Sequence, residues 1–198
     1  PLLAHAELST KDAWDNLKKL LETGGYQVIG QENLVGSDLS IKNVQISFEV
    51  DAQTNINFDI GSLNLTKNKD GFININLPEE FYVQYLNEDE FGYKTEANIL
   101  VRARELDFKV SGKISQVLYQ LTASSAGFAL VELLDNGVAS PDFSAEMEFV
   151  LADVNSTIRV AGVSSIEVTS LLSASGASLK GGLSVLSVPL KLNFQYVM

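Results

Sequence analysis

Val44-Gln45-Ile46-Ser47-Phe48-Glu49-Val50, followed by Asn55-Ile56-Asn57-Phe58-Asp59-Ile60, is the stretch that decides the fold class. Apolar and polar residues alternate strictly in both segments. A strand turns successive side chains to opposite faces, so each segment has one greasy face and one wet face. That is the mark of antiparallel strands rather than of parallel strands buried on both sides. The same period of two returns at Ile73, Ile75 and Leu77, at Ala97, Ile99, Val101 and Ala103, and at Leu106, Phe108 and Val110. It returns again at Phe143, Ala145, Met147, Phe149 and Leu151. Turn-forming residues punctuate these runs: Gly36-Ser37-Asp38, Asn68-Lys69-Asp70-Gly71, Ser111-Gly112, Asp135-Asn136-Gly137 and Gly181-Gly182. Gln116 to Leu134 reads as two strands around Ser124-Ser125-Ala126-Gly127.

The alternation slips phase inside long runs. Leu39 and Ile41 are odd-numbered, yet the pattern resumes at Val44 on even numbers. Ile60 is even, whereas Leu63 and Leu65 are odd, with Gly61-Ser62 between. Each slip predicts a bulge or a bend, and such features curve a sheet.

Upstream, the period changes to that of a helix. Ala13, Trp14, Leu17, Leu20 and Leu21 form one apolar stripe, with Lys11, Asp15, Lys18, Lys19 and Glu22 opposite. Ser9 is the expected cap, with Asp12 three residues on as the acidic partner of a capping box. Gly24-Gly25 ends the helix. The stripe requires an apolar surface beneath it. Together these patterns predict a mainly β protein, with one N-terminal amphipathic helix packed on a long, curved antiparallel sheet in the form of a half-barrel, groove or open barrel.

Composition narrows the function classes. The 198 residues carry 14 Lys+Arg against 25 Asp+Glu, a formal net charge of -11, with the few basic residues scattered. Nucleic-acid binding needs clustered cations, so it is not expected. No apolar run is long enough for a transmembrane helix. With 45% hydrophobic residues the chain is a folding sequence, not a disordered one. It contains no Cys, so disulfides, thiolate metal sites and catalytic thiols are excluded.

The ends suggest export. Ala4-His5-Ala6 has the small-x-small form of a secretory cleavage site, and Leu2-Leu3 the character of an apolar tail before it. Residues 1–6 are therefore read as a signal-peptide remnant, and 7–198 as a single β-rich domain outside the cytoplasm, in the periplasm. Val188 to Met198 alternates like a strand and stops without a polar tail. That reads as the N-terminal part of a longer chain, or as a last strand tucked into a sheet.

Little in the sequence points to catalysis. His5, the only His, falls in the leader remnant, which argues against a Ser-His-Asp triad or a His-ligated metal. Glu79-Glu80 and Glu88-Asp89-Glu90 bracket the strand Phe81 to Leu86. They suit a glycosidase pair or a Ca²⁺ site by residue type, and equally a solvated loop at each end of one strand. Phe81, Tyr82, Tyr85, Phe91 and Tyr93 are dense along the same segment, as a sugar platform, a lipid-groove lip or ordinary strand packing. No enzyme activity, metal or cofactor is expected.

Several segments together resemble an alphaproteobacterial envelope family, domain of unknown function 2125. These are Asp12-Ala13-Trp14 at the helix start, Gly25-Tyr26-Gln27-Val28, the spacing Leu39, Ile41, Val44, and Asn68 to Gly71 leading to Leu77-Pro78. The pattern is also similar to the broader AsmA-like envelope proteins. The resemblance implies an exported protein with a helix on a long curved antiparallel sheet, and it supplies no catalytic residues.

The resulting expectation is a non-enzymatic envelope protein that binds a lipid or other apolar ligand in the concave face of its sheet. Val44, Ile46, Phe48, Ile56, Phe58, Ile99 and Val101 are the candidate lining, and in a closed barrel or sandwich the same residues would be core. The alternative is a structural or interaction domain that pairs with another envelope protein, or with its own copy, through strand edges.

Overall fold

The capping residues start the one helix of the described residues where the sequence places it. In the computed structural model, which describes residues 7–139, 147–162, 167–180 and 190–197, α1 spans Thr10–Thr23. The Asp12 N–H donates to Ser9 Oγ and the Ser9 N–H to Asp12 Oδ2, each at 3.1 Å, which completes the capping box. Gly25, at φ 90, turns the chain out of the helix.

The strands that follow form one 13-stranded sheet. They are β1 (Gln27–Val35), β2 (Asp38–Glu49), β3 (Thr54–Lys67), β4 (Ile73–Asn76), β5 (Glu80–Glu88), β6 (Lys94–Arg104) and β7 (Asp107–Lys113). β8 (Gln116–Asp135), β9 (Val138–Ala139), β10 (Met147–Ala161), β11 (Glu167–Ala174), β12 (Gly176–Lys180) and β13 (Leu190–Val197) complete it. All pairings are antiparallel, β1 lies at one edge and β13 at the other.

Register reduces this to a simple meander. β4 and β5 lie end to end along β3, from Lys67↔Ile73 to Asn64↔Asn76 and then from Asp59↔Tyr82 to Thr54↔Asn87. They are one strand interrupted at Leu77-Pro78-Glu79, where proline removes a ladder donor. β7 and β6 continue one another along β8 in the same way, broken at Glu105-Leu106. So do β11 and β12 along β10, broken at Ser175.

These interruptions line up. The β1 register shifts at Gly30, opposite Asn43 of β2, which has φ 53. Asn43 is bulged out of the ladder with β3, and the next residue, Val44, pairs with Gly61, which has φ 76. Gly61 faces the Leu77-Pro78-Glu79 break, which faces Glu105 at φ 51. Beyond it come Ser124 of β8, Asp153 of β10 at φ 48, and Ser175. A line of kinks thus crosses the sheet perpendicular to its strands. The two phase slips expected around Asn43 and Gly61 are its first members.

Two turn readings are corrected. Gln116 to Leu134 is not two strands, because β8 runs unbroken for 20 residues. Its Ser124-Ser125 stretch is the kink, where the inward residues change from Val117, Tyr119, Leu121 and Ala123 to Ala126, Phe128 and Leu130. No turn forms there because β10 pairs along its whole length on one side. Ser111-Gly112 lies inside β7, and the chain turns at Ile114-Ser115 instead. Residues 1–6, Phe143, Ala145 and Gly181-Gly182 lie outside the described residues.

α1 rests on one half of one face, called the front here. Ala13 and Trp14 are buried with Val28, Leu39, Ile41, Val44, Leu63, Leu65, Ile73, Val110, Val117 and Val160. The sheet therefore wraps the helix from β1 round to β10. The far side is tied by Tyr119 Oη, which donates to Asn16 Oδ1 at 2.6 Å.

Candidate functional site

α1 reaches past the kink line over β1 to β3, where Val28, Ile46 and Phe58 join its core; over β6, β8 and β10 beyond the line no helix among the described residues covers the front face, yet the face stays apolar. Cross-strand partners share a face, and the ladder sets Ile46 opposite Phe58, Phe58 opposite Val83, Val83 opposite Ile99, and Ile99 opposite Leu130. A neighbouring row runs Phe81, Val101, Phe128, Phe149, Leu179. The Phe128 and Phe149 rings lie 5.3 Å apart. Phe128 and Leu179 are each 47% exposed, far above what a sheet core allows.

The expected lining residues all lie on this front face, but in different settings. Val44 is fully buried beneath the helix and cannot line an open groove. Phe48 stacks on Tyr26 at 4.8 Å, closing the space below the helix C-terminus. Ile46 and Phe58 pack at the margin of the helix-covered core. Ile56 is half-buried opposite Phe48. Only Ile99 and Val101 lie in the uncovered half, half-buried. Phe128 and Phe149 belong beside them. The sequence gives no sign of their exposure, because an apolar phase looks the same whether or not something covers it.

Three of the five carboxylates bracketing β5 are engaged locally. Glu80 Oε1 accepts from Arg102 Nε at 2.9 Å, and Lys94 Nζ reaches Glu88 Oε2 at 3.3 Å. Asp89 Oδ1 accepts from the Phe91 and Tyr93 N–H groups, each at 2.9 Å, as in an Asx turn. The aromatic cluster divides. Phe81 and Tyr85 share the front face, Tyr82 lies on the back, and Phe91 stands exposed in the turn after β5. Among the described residues no three acidic or His side chains converge as a metal site.

The back face is concave where it crosses the kink line. One cavity of about 450 Å³ is lined by Gln27, Gln45, Ser47, Asn57, Asp59, Tyr82 and Gln84, together with the apolar Ile29, Ile46 and Phe58. A second, of about 440 Å³, adjoins it and shares Ile29, Gln45 and Asp59.

No family model, curated protein or solved structure matches this chain. Among the described residues, no helix is long and apolar enough to cross a membrane.

Proposed function

We propose that this protein is a non-enzymatic binding protein of the bacterial periplasm, and that it holds an acyl chain or similar apolar ligand against the uncovered half of its front face. The observation that supports this is an apolar surface that no described residue covers, with Phe128 nearly half exposed in the middle of β8 and Leu179 nearly half exposed near the end of β12. Apolar surface in that position gains most when something removes it from water. The resemblance to exported envelope proteins with a helix on a curved sheet points the same way.

The test is native mass spectrometry of protein purified from the periplasm without detergent, with organic extraction of anything bound. A co-purifying lipid that Ile99→Asp or Val101→Asp removes is the expected result. A clean unliganded mass across several protein concentrations overturns it.

A second reading is edge pairing with another envelope protein or a second copy. It is favoured by β1, an edge strand with Ile29, Leu34 and Val35 exposed at 59%, 54% and 68%. A dimer that Ile29→Lys dissolves would select it.

A further inference from the structure

The back-face trough has a chemistry of its own. Its lining side chains come from neighbouring strands in register: Gln27 opposite Ser47, Ser47 opposite Asn57, Asn57 opposite Gln84. The adjacent row sets Gln45 opposite Asp59 and Asp59 opposite Tyr82. Hydrogen-bonding groups therefore repeat across the trough at the strand spacing of about 4.8 Å. Gln27, Gln45, Asn57 and Asp59 make no side-chain hydrogen bond to another described residue. Gln84 Nε2 makes one long one, 3.5 Å to Glu96 Oε2.

Asn and Asp are disfavoured in strands, yet Asn57 and Asp59 stand inside β3. Residues that defy local propensity without a packing reason mark function. Each amide offers both a donor and an acceptor, which is what a hydroxyl group, itself donor and acceptor, requires. Tyr82 adds a ring 56% exposed in the middle of β5, an apolar plate with a polar tip. Flat rings with an apolar face and a hydroxylated rim fit that combination. The Asp59 carboxylate, in a chain of net charge -11, disfavours an anionic ligand.

We infer that this trough is a second binding site, on the opposite face from the apolar surface, and that it takes a neutral glycan chain. The pyranose rings stack on Tyr82, and their hydroxyls exchange hydrogen bonds with Gln45, Asn57 and Gln84. Nothing in this site depends on the front face being occupied.

The test is NMR of the isotope-labelled 198-residue chain titrated with cellohexaose, maltohexaose and chitohexaose, with a trigalacturonate as the anionic probe. At least one neutral hexasaccharide should move the side-chain amide signals of Gln45 and Asn57. Tyr82→Ala should weaken that binding about tenfold, and Gln45→Ala should weaken it too, both with an unchanged circular dichroism spectrum. Ile99→Asp should leave it intact. The proposal is overturned if no neutral hexasaccharide shifts those signals, if trigalacturonate binds as well, or if Tyr82→Ala changes nothing.

Discussion

Trp14 shows how one side chain joins helix and sheet. Its ring is 2% exposed, and its Nε1 donates to Glu32 Oε1 of β1 at 2.8 Å. Lys11 Nζ reaches the other oxygen of Glu32 at 3.0 Å. Burial opposes the charge on Glu32, but the hydrogen bonds from Lys11 and Trp14 outweigh it and hold its pKa below the ordinary 4.5. Trp14→Phe keeps most of the ring and removes the donor, so urea unfolding should show a loss of about 1–3 kcal/mol. The carboxylate binds protons less readily when folded than when unfolded. Its contribution is therefore complete above pH 4.5 and is lost as pH falls through the folded value. Urea titrations should find the native protein more stable than Glu32→Gln at neutral pH, with the gap closing in acid. A gap that widens in acid would show that the charge is not what holds the helix to β1.

At the scale of elements, the kink line is the feature that sets the shape. Gly61 at φ 76 has no neighbouring atom where a Cβ would stand, so a side chain there meets backbone strain and no clash. Gly61→Val should cost about 1–3 kcal/mol in thermal or chemical unfolding. Asn43 occupies the same conformation on β2, and Asn43→Gly should change stability by less than about 1 kcal/mol. Equal losses from both substitutions would mean that the line is not held by left-handed backbone. Both positions were legible in the sequence as slips of phase. So were α1 and the two faces of the segments that alternate, such as β6 and β7. The alignment of the slips was not, because it depends on how strands register against one another, and no single segment carries that. The unbroken β8 was missed for a related reason. Ser124-Ser125-Ala126-Gly127 has turn composition, and only continuous partners keep it extended. The amides of the back-face trough were also hidden, since one strand at a time Gln45, Asn57 and Gln84 look like an ordinary wet face.

At the scale of the molecule, the described residues form a single sheet with a part of its front face that α1 covers and a part, in β6, β8 and β10 beyond the kink line, that no described helix covers. The same substitution should therefore have opposite consequences on the two sides of the kink line. Val44 is 0% exposed beneath α1, so a carboxylate there is cut off from solvent among apolar side chains. Val44→Asp should cost more than about 3 kcal/mol and lower the melting temperature sharply, or prevent folding. Val101 lies on the same face but past the line, half-buried in the row with Phe128 and Phe149. Water can solvate a carboxylate there, so Val101→Asp should cost about 1 kcal/mol or less. Thermal melts of the two variants side by side measure whether the front face is open. If Val101→Asp destabilises as much as Val44→Asp, the distal half is dry, something covers it, and an apolar ligand has no room there. If Val101→Asp melts like the native protein and also loses a bound lipid, stability and binding are separable on one apolar face. The helix-covered half then holds the fold, and the uncovered half is free to bind.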